Sequence, residues 1–130
     1  METVTEVLKQ AYGDPEQVSP ELVDCILKPG LTEGATDVFL DFISYSAGPL
    51  PEEQLKILSV EENNIPVGIG WGTSDPWEPS STIDIYSKEE CVEMTRLFEG
   101  VGHCPQDEAP DVVNSFILDF ALMVKGKAAS

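Results

Sequence analysis

The chain has 130 residues, 24 of them acidic and 7 basic, for a formal charge of −17. So few cations exclude nucleic-acid binding by phosphate neutralisation, which needs clustered Lys and Arg. An apolar share of 42% is that of a chain with a packed core rather than of an acidic disordered protein, and no apolar run approaches the roughly 18 residues of a membrane span. The opening METVTEVLKQ carries acidic residues where targeting peptides carry basic ones.

Val4, Val7, Leu8 and Ala11 recur at helical spacing and predict a first helix that stops at Gly13-Asp14-Pro15. Ser19 before Pro20 and Glu21 combines an N-cap hydroxyl, a proline at the first helical position and an acid at the positive helix end, so a second helix is expected there. Its stripe is Leu22, Val23, Ile26 and Leu27, and Pro29-Gly30 supplies the stop. Thr32 is expected to cap a third helix with Ala35, Val38, Phe39, Phe42 and Ile43 on one side. All three need an apolar partner surface.

The character changes after the Gly48-Pro49-Leu50-Pro51 turn. Ile65 to Trp71 is short, apolar and rich in glycine, which predicts a buried strand; Cys91 to Phe98, with Val92, Met94 and Phe98 at even spacing, predicts a second. Val112, Val113, Phe116, Ile117, Phe120, Ala121 and Val124 form a closing helical stripe, with Asp107, Glu108 and Asp111 before it and Lys125 and Lys127 after it, as the helix dipole favours. The order strand, acidic loop, helix or turn, strand, loop, helix is the rhythm of a parallel sheet, so the expected fold class is α/β.

The loops that follow the two strands hold the residues best suited to chemistry. One reads Gly72-Thr73-Ser74-Asp75-Pro76-Trp77-Glu78-Pro79, the other Glu99-Gly100-Val101-Gly102-His103-Cys104-Pro105, and His103 is the only histidine. Sites in parallel sheets form at the strand carboxyl ends, so both loops are expected to open on one edge. A carboxylate that accepts from an imidazole N–H fixes its tautomer and stabilises the imidazolium, as a general base serving a hydroxyl requires. Taken alone the pair is weak evidence, because a turn-forming Asp and a surface His give the same sequence. Trp71 and Trp77, which bracket the acid loop, are expected in the core.

Other constellations offer less. Cys25, Cys91 and Cys104 match no disulfide framework and are expected as reduced thiols. Cys104 adjoins His103, so the two side chains project differently and do not form a nucleophile–base pair. One histidine and scattered cysteines lack metal-ligand spacing, and neither a metal nor a cofactor is expected. The pairs Glu52-Glu53, Glu61-Glu62 and Glu89-Glu90 read as solvated loops and helix ends.

The wording of two motifs goes further. WGTSDPWEP and GVGHCPQDEAPDVVN resemble the acid and histidine segments of α/β-hydrolases, in particular a plant, algal and cyanobacterial group related to pheophytinase and chlorophyll dephytylase. The stretch ELVDCILKPGLTEGATDVFLDFISYSAGPLPEE is similar to the cap helices of that group, so nearly the whole chain is covered. The resemblance implies that Asp75 is the triad acid after the seventh strand and His103 the triad base after the eighth. It implies a helical cap over residues 1–60 and the C-terminal part of the hydrolase core over 61–130, a partial α/β-hydrolase fold. It also implies a parent that hydrolyses hydrophobic carboxylic esters, in a chloroplast.

The family's nucleophile sits in a G-x-S-x-G elbow, a strained strand-to-helix turn. No such motif occurs in the 130 residues. Ser44-Tyr45-Ser46-Ala47-Gly48 is one residue from the pattern, but Ser46 follows a helical stripe and precedes Pro49 and Pro51, the wrong context for an elbow. The expected function is therefore that of a hydrolase piece, inactive alone, which keeps the acid and base of the triad; the alternative is a non-catalytic interaction or regulatory protein derived from a hydrolase. With only the last two strands of the sheet present, an unpaired edge is expected to loosen the fold, or to drive self-association or pairing with a missing N-terminal half.

Overall fold

The computed structural model describes residues 2–45, 48–60 and 65–128. Its N-terminal part is helical. Helix α1 (Glu2–Ala11) ends with Tyr12 between it and Gly13, where the predicted stop begins. A single 3-10 turn, Pro15–Gln17, follows, with Asp14 Oδ1 accepting from the Glu16 N–H at 3.0 Å. Helix α2 (Pro20–Gly30) starts on the predicted cap, since Ser19 Oγ accepts from the Leu22 N–H at 3.1 Å. Pro29 and Gly30 form the last residues of this helix rather than lying beyond it.

Thr32 does not cap the third helix. Its hydroxyl donates backward to the Pro29 carbonyl at 2.7 Å, closing the end of α2, and Gly34 at φ 80° takes the N-cap position of α3 (Ala35–Ser44). Glycine enters that left-handed region without steric cost. Helix α4 (Pro51–Leu58) has no predicted counterpart; proline opens it, and Glu53 Oε2 accepts from the Leu50 N–H at 3.2 Å. Helix α1 packs on α2, and α2 on α3.

Strands β1 (Val67–Gly72) and β2 (Val92–Phe98) form a parallel pair, joined by a crossover through the short helix α5 (Ile83–Tyr86). Gly68 pairs with Met94, Gly70 with Arg96 and Gly72 with Phe98, so three glycines and three large side chains share one face. A Cβ on Gly68 would lie 3.0 Å from the Phe120 ring, and one on Gly70 would lie 2.6 Å from Phe98. The glycines thus let the closing helix, α7 (Pro110–Ala128), which follows the single turn α6 (Pro105–Glu108), lie close on the sheet. Phe98 meets Phe116 edge to face at 5.9 Å, and Arg96 crosses the Phe116 ring and pairs with Asp119 at 2.9 Å. The opposite face carries Trp71, which packs against Tyr86 of α5.

The chain is therefore helical with two parallel strands, compatible with a partial α/β fold. Strand β1 is half-buried rather than fully buried, apart from Gly72 at its end. Among the described residues it is hydrogen-bonded to a neighbouring strand along one edge alone, so its outer edge is open. The apolar side of α3 is open as well, with Phe39 61% and Phe42 76% exposed.

Candidate active site

The two loops predicted to meet do meet, and backbone bonds bring them together. The Thr73 N–H donates to the Phe98 carbonyl at 3.0 Å, and the Ser74 N–H to the Val101 carbonyl at 2.9 Å. Thr73 Oγ1 accepts from the Gly100 N–H at 2.9 Å, where Gly100 turns the chain at φ 73°. The Trp71 indole N–H reaches over to the Glu78 carbonyl at 3.2 Å and closes the acid loop on its own strand.

Asp75 sits in the turn that its own carboxylate organises. Oδ1 accepts from the N–H groups of Trp77 at 2.9 Å and Glu78 at 3.1 Å, while Oδ2 lies 2.9 Å from His103 Nδ1. Burial is the largest single influence on this carboxyl and raises its pKa. The Trp77 amide, the His103 imidazole and the Glu78 amide together outweigh it and hold the group below the ordinary carboxylate value. An ionised carboxylate only accepts, so Nδ1 must carry the proton and donate to Oδ2. In the neutral tautomer that assignment leaves Nε2 as the basic nitrogen.

The Asp75 side chain is 7% exposed and that of His103 40%, an arrangement with the acid inside and the base at the surface. The Trp77 ring stands edge-on to the imidazole at 4.7 Å and is itself 50% exposed. Trp77 is thus not the core residue expected of it; it forms one wall beside the histidine. Asp75 and His103, with Gly70, Trp71, Gly72, Glu78, Gly102 and Pro105, line a cavity of about 250 Å³. A larger cleft of about 350 Å³ lies between α1 and α2, lined by Thr5, Lys9, Val18, Pro20, Glu21, Val23 and Asp24. It contains no acid–imidazole pair.

Ser46 lies outside the described residues. The Cys104 thiol is pushed up by burial and by the carboxylates of Glu108, Asp107 and Asp75, which makes it a poor nucleophile beside His103. Cys25 and Cys91 are free thiols, the first exposed and the second buried. Among the described residues no cluster of three or more His, Cys, Asp or Glu side chains could hold a metal ion, and no helix is long and apolar enough to cross a membrane.

Residues before the site also touch it. The His103 N–H donates to the Ala11 carbonyl at 2.7 Å, and the Tyr12 hydroxyl donates to the Asp107 carboxylate. Neither contact is encoded in local spacing. The glycines around them, Gly13 and Gly102, are the sequence signal that backbone approaches backbone there.

Comparison with known proteins adds one relative. The chain is 27% identical to the chloroplastic pheophytinase of Arabidopsis thaliana over 113 residues, which cover 87% of this chain and 23% of that protein. The chain therefore spans about a quarter of the length of the relative it matches. No known family's sequence model matches the chain. No solved structure matches it either. The similarity supports a distant hydrolase relationship.

Proposed function

We propose that the chain supplies the acid and the base of a serine-type ester hydrolase, with Asp75 orienting the imidazole and His103 taking the proton of the attacking hydroxyl. The observation that carries this reading is the Asp75–His103 contact of 2.9 Å, with Oδ1 already committed to two backbone amides. In such a relay the base nitrogen removes the hydroxyl proton as the oxygen attacks the ester carbonyl, then returns it to the leaving alcohol; the carboxylate steadies the imidazolium between those steps. The 130 residues contain no G-x-S-x-G motif, so the serine and the oxyanion donors are supplied from outside them. Residues 1–60 act as a helical cap and 61–130 as the closing part of the hydrolase core. The substrate is a hydrophobic carboxylic ester and the setting a plastid, a reading that the similarity to the chloroplastic relative supports.

The test joins this chain to the upstream, G-x-S-x-G-bearing part of a hydrolase relative and follows hydrolysis of a chromogenic ester. Asp75→Asn is expected to lower turnover by about 10⁴-fold and His103→Ala by about 10⁶-fold, the costs of losing the acid and the base of such a triad. The isolated chain is expected to show no labelling by a serine-reactive probe. A folded, active chimera indifferent to both substitutions would overturn the proposal and leave the non-catalytic interaction protein as the better reading.

A further inference from the structure

Glu108 binds three backbone amides drawn from two distant parts of the chain. Its Oε2 accepts from the N–H groups of Gly13 at 2.7 Å and Gly102 at 2.9 Å, and its Oε1 accepts from the Cys104 N–H at 3.2 Å. Gly102 and Cys104 are the residues immediately before and after His103, so one carboxylate holds the histidine loop on both flanks. The third amide belongs to the chain leaving α1, whose Ala11 carbonyl accepts from the His103 N–H at 2.7 Å. Packing leaves this junction no slack. A Cβ on Gly102 would lie 2.3 Å from the Ala11 carbonyl oxygen, and one on Gly13 would lie 2.0 Å from that of Gly100. Hydrogen bonds to an ionised acceptor are about twice as strong as neutral ones, so the carboxylate is a stronger tie between the loop and α1 than the backbone bond from His103 to Ala11.

Resting on the reading of Asp75 and His103 as acid and base, we propose that Glu108 is a positioning residue for His103. It clamps the histidine loop to the end of α1, so that the ring stays at the height where Nδ1–H meets Asp75 Oδ2. Glu108 acts through the backbone on either side of the ring and takes no part in proton transfer. Without it the end of α1 keeps only the Ala11 carbonyl on the His103 amide and the Tyr12 hydroxyl on Asp107, neither of which holds the amides on both flanks of the ring, and the ring leaves the carboxylate for part of the time.

The chain has a single histidine, so the imidazole signals in an NMR spectrum of the full chain report on this loop without ambiguity. At mildly alkaline pH the wild type is expected to show one tautomer with a slowly exchanging Nδ1–H. Glu108→Ala is expected to lose that resonance and populate both tautomers. Glu108→Gln keeps an acceptor oxygen for the Gly13 and Gly102 amides but presents an NH₂ to the Cys104 amide, so an intermediate spectrum is expected. Amide protection in β1 and β2, read on the same samples, establishes that the fold persists; if Glu108→Ala loses it, Glu108→Gln decides. A folded variant with the wild-type Nδ1–H signal would overturn the positioning role while leaving the acid–base pair standing. A folded wild type with no Nδ1–H signal would sink the acid–base reading and the positioning role with it.

Discussion

A Cβ placed on Gly72 would lie 2.2 Å from the carbonyl oxygen of Gly102 and 2.3 Å from that of Val101. The strand end that leads to Asp75 and the loop that carries His103 therefore touch backbone to backbone, with no flexible side chain between them to give way. Gly72→Ala is expected to force the two apart, break the contact between Asp75 and His103, and cost about 1–3 kcal/mol, the usual penalty of overpacking. Gly126→Ala is the control, since its Cβ would meet nothing within 4 Å in the exposed last turns of α7; it is expected to stabilise the chain by about 0.5–1 kcal/mol. Urea unfolding of both variants, with the imidazole N–H signal followed in parallel, checks the pair of expectations. Equal stability of the two variants would show that the junction is looser than its backbone contacts indicate.

The acid limb of the stability curve should carry the signature of Asp75. Its carboxyl is held below the ordinary value of 3.8, with burial opposing and the Trp77 amide, His103 and the Glu78 amide prevailing. Because the folded state prefers the ionised group more than the unfolded state does, the resulting stabilisation is fully present above the ordinary value. It is lost as pH falls through the lowered one. Asp75→Asn removes this pH dependence, and its side-chain NH₂ facing the ring favours the tautomer with the proton on Nε2, the wrong one for a base. A carbon-detected titration of the Asp75 carboxyl, together with acid unfolding of both proteins, is the measurement. A carboxyl that titrates at or above the ordinary range would contradict the geometry.

Those features lie close to what is legible in the sequence, and the reason is locality. Ser19 and Pro20 announce the start of α2 because a cap is a contact between neighbours, 3.1 Å from Ser19 Oγ to the Leu22 amide. The glycine-interrupted run up to Trp71 and the run ending in Phe98 announce two strands, and element order places Asp75 and His103 at the same sheet edge. Thr32 misleads because its hydroxyl has two neighbours to serve and bonds back to Pro29. Helix α4 escapes notice because its 8 residues bury only Leu55, too little for a stripe. Trp77 reads as a core residue from its type alone, whereas its position is set by the Asp75 turn. Glu108 is the instructive omission: the Gly13 amide it accepts from is 95 residues away, and no periodicity or motif spacing records such a contact.

The open apolar side of α3 gives a prediction about the whole molecule. Val38, Phe39, Phe42 and Ile43 all lie more than half exposed on one short helix, and contiguous apolar surface of that kind is removed from water by association. The outer edge of β1, which pairs with no strand among the described residues, adds backbone donors and acceptors that another strand can satisfy. The isolated chain is expected to sediment above its monomer mass of 14.2 kDa, and the double substitution Val38→Ser with Phe42→Ser to shift it toward the monomer. Equilibrium sedimentation over a concentration series reads this directly. Strong amide protection in Val67 to Trp71 of a verified wild-type monomer would show that neither the face nor the edge needs a partner.

Tyr12 supplies the alkaline counterpart. Its ring is buried at the end of α1 and its hydroxyl donates to the Asp107 carboxylate below the histidine loop. Burial, the bond to Asp107 and the nearby charges of Asp107, Cys104 and Glu108 all push the phenol well above its ordinary value of 10.0. The folded state therefore holds this proton more tightly than the unfolded state. The stabilisation is complete below the ordinary value and declines as pH rises through the raised one. The chain has three tyrosines; Tyr86 is also raised, by burial and by Glu52 and Glu78. Phenolate absorbance is expected to include a late step from Tyr12, together with unfolding of the junction. Tyr12→Phe should delete that late step and cost about 1.5–3 kcal/mol at neutral pH, as loss of a hydrogen bond to a charged group does. If the late step survives in Tyr12→Phe, the phenol does not face Asp107 in solution, and the contact between α1 and the histidine loop is carried by the backbone and Glu108 alone.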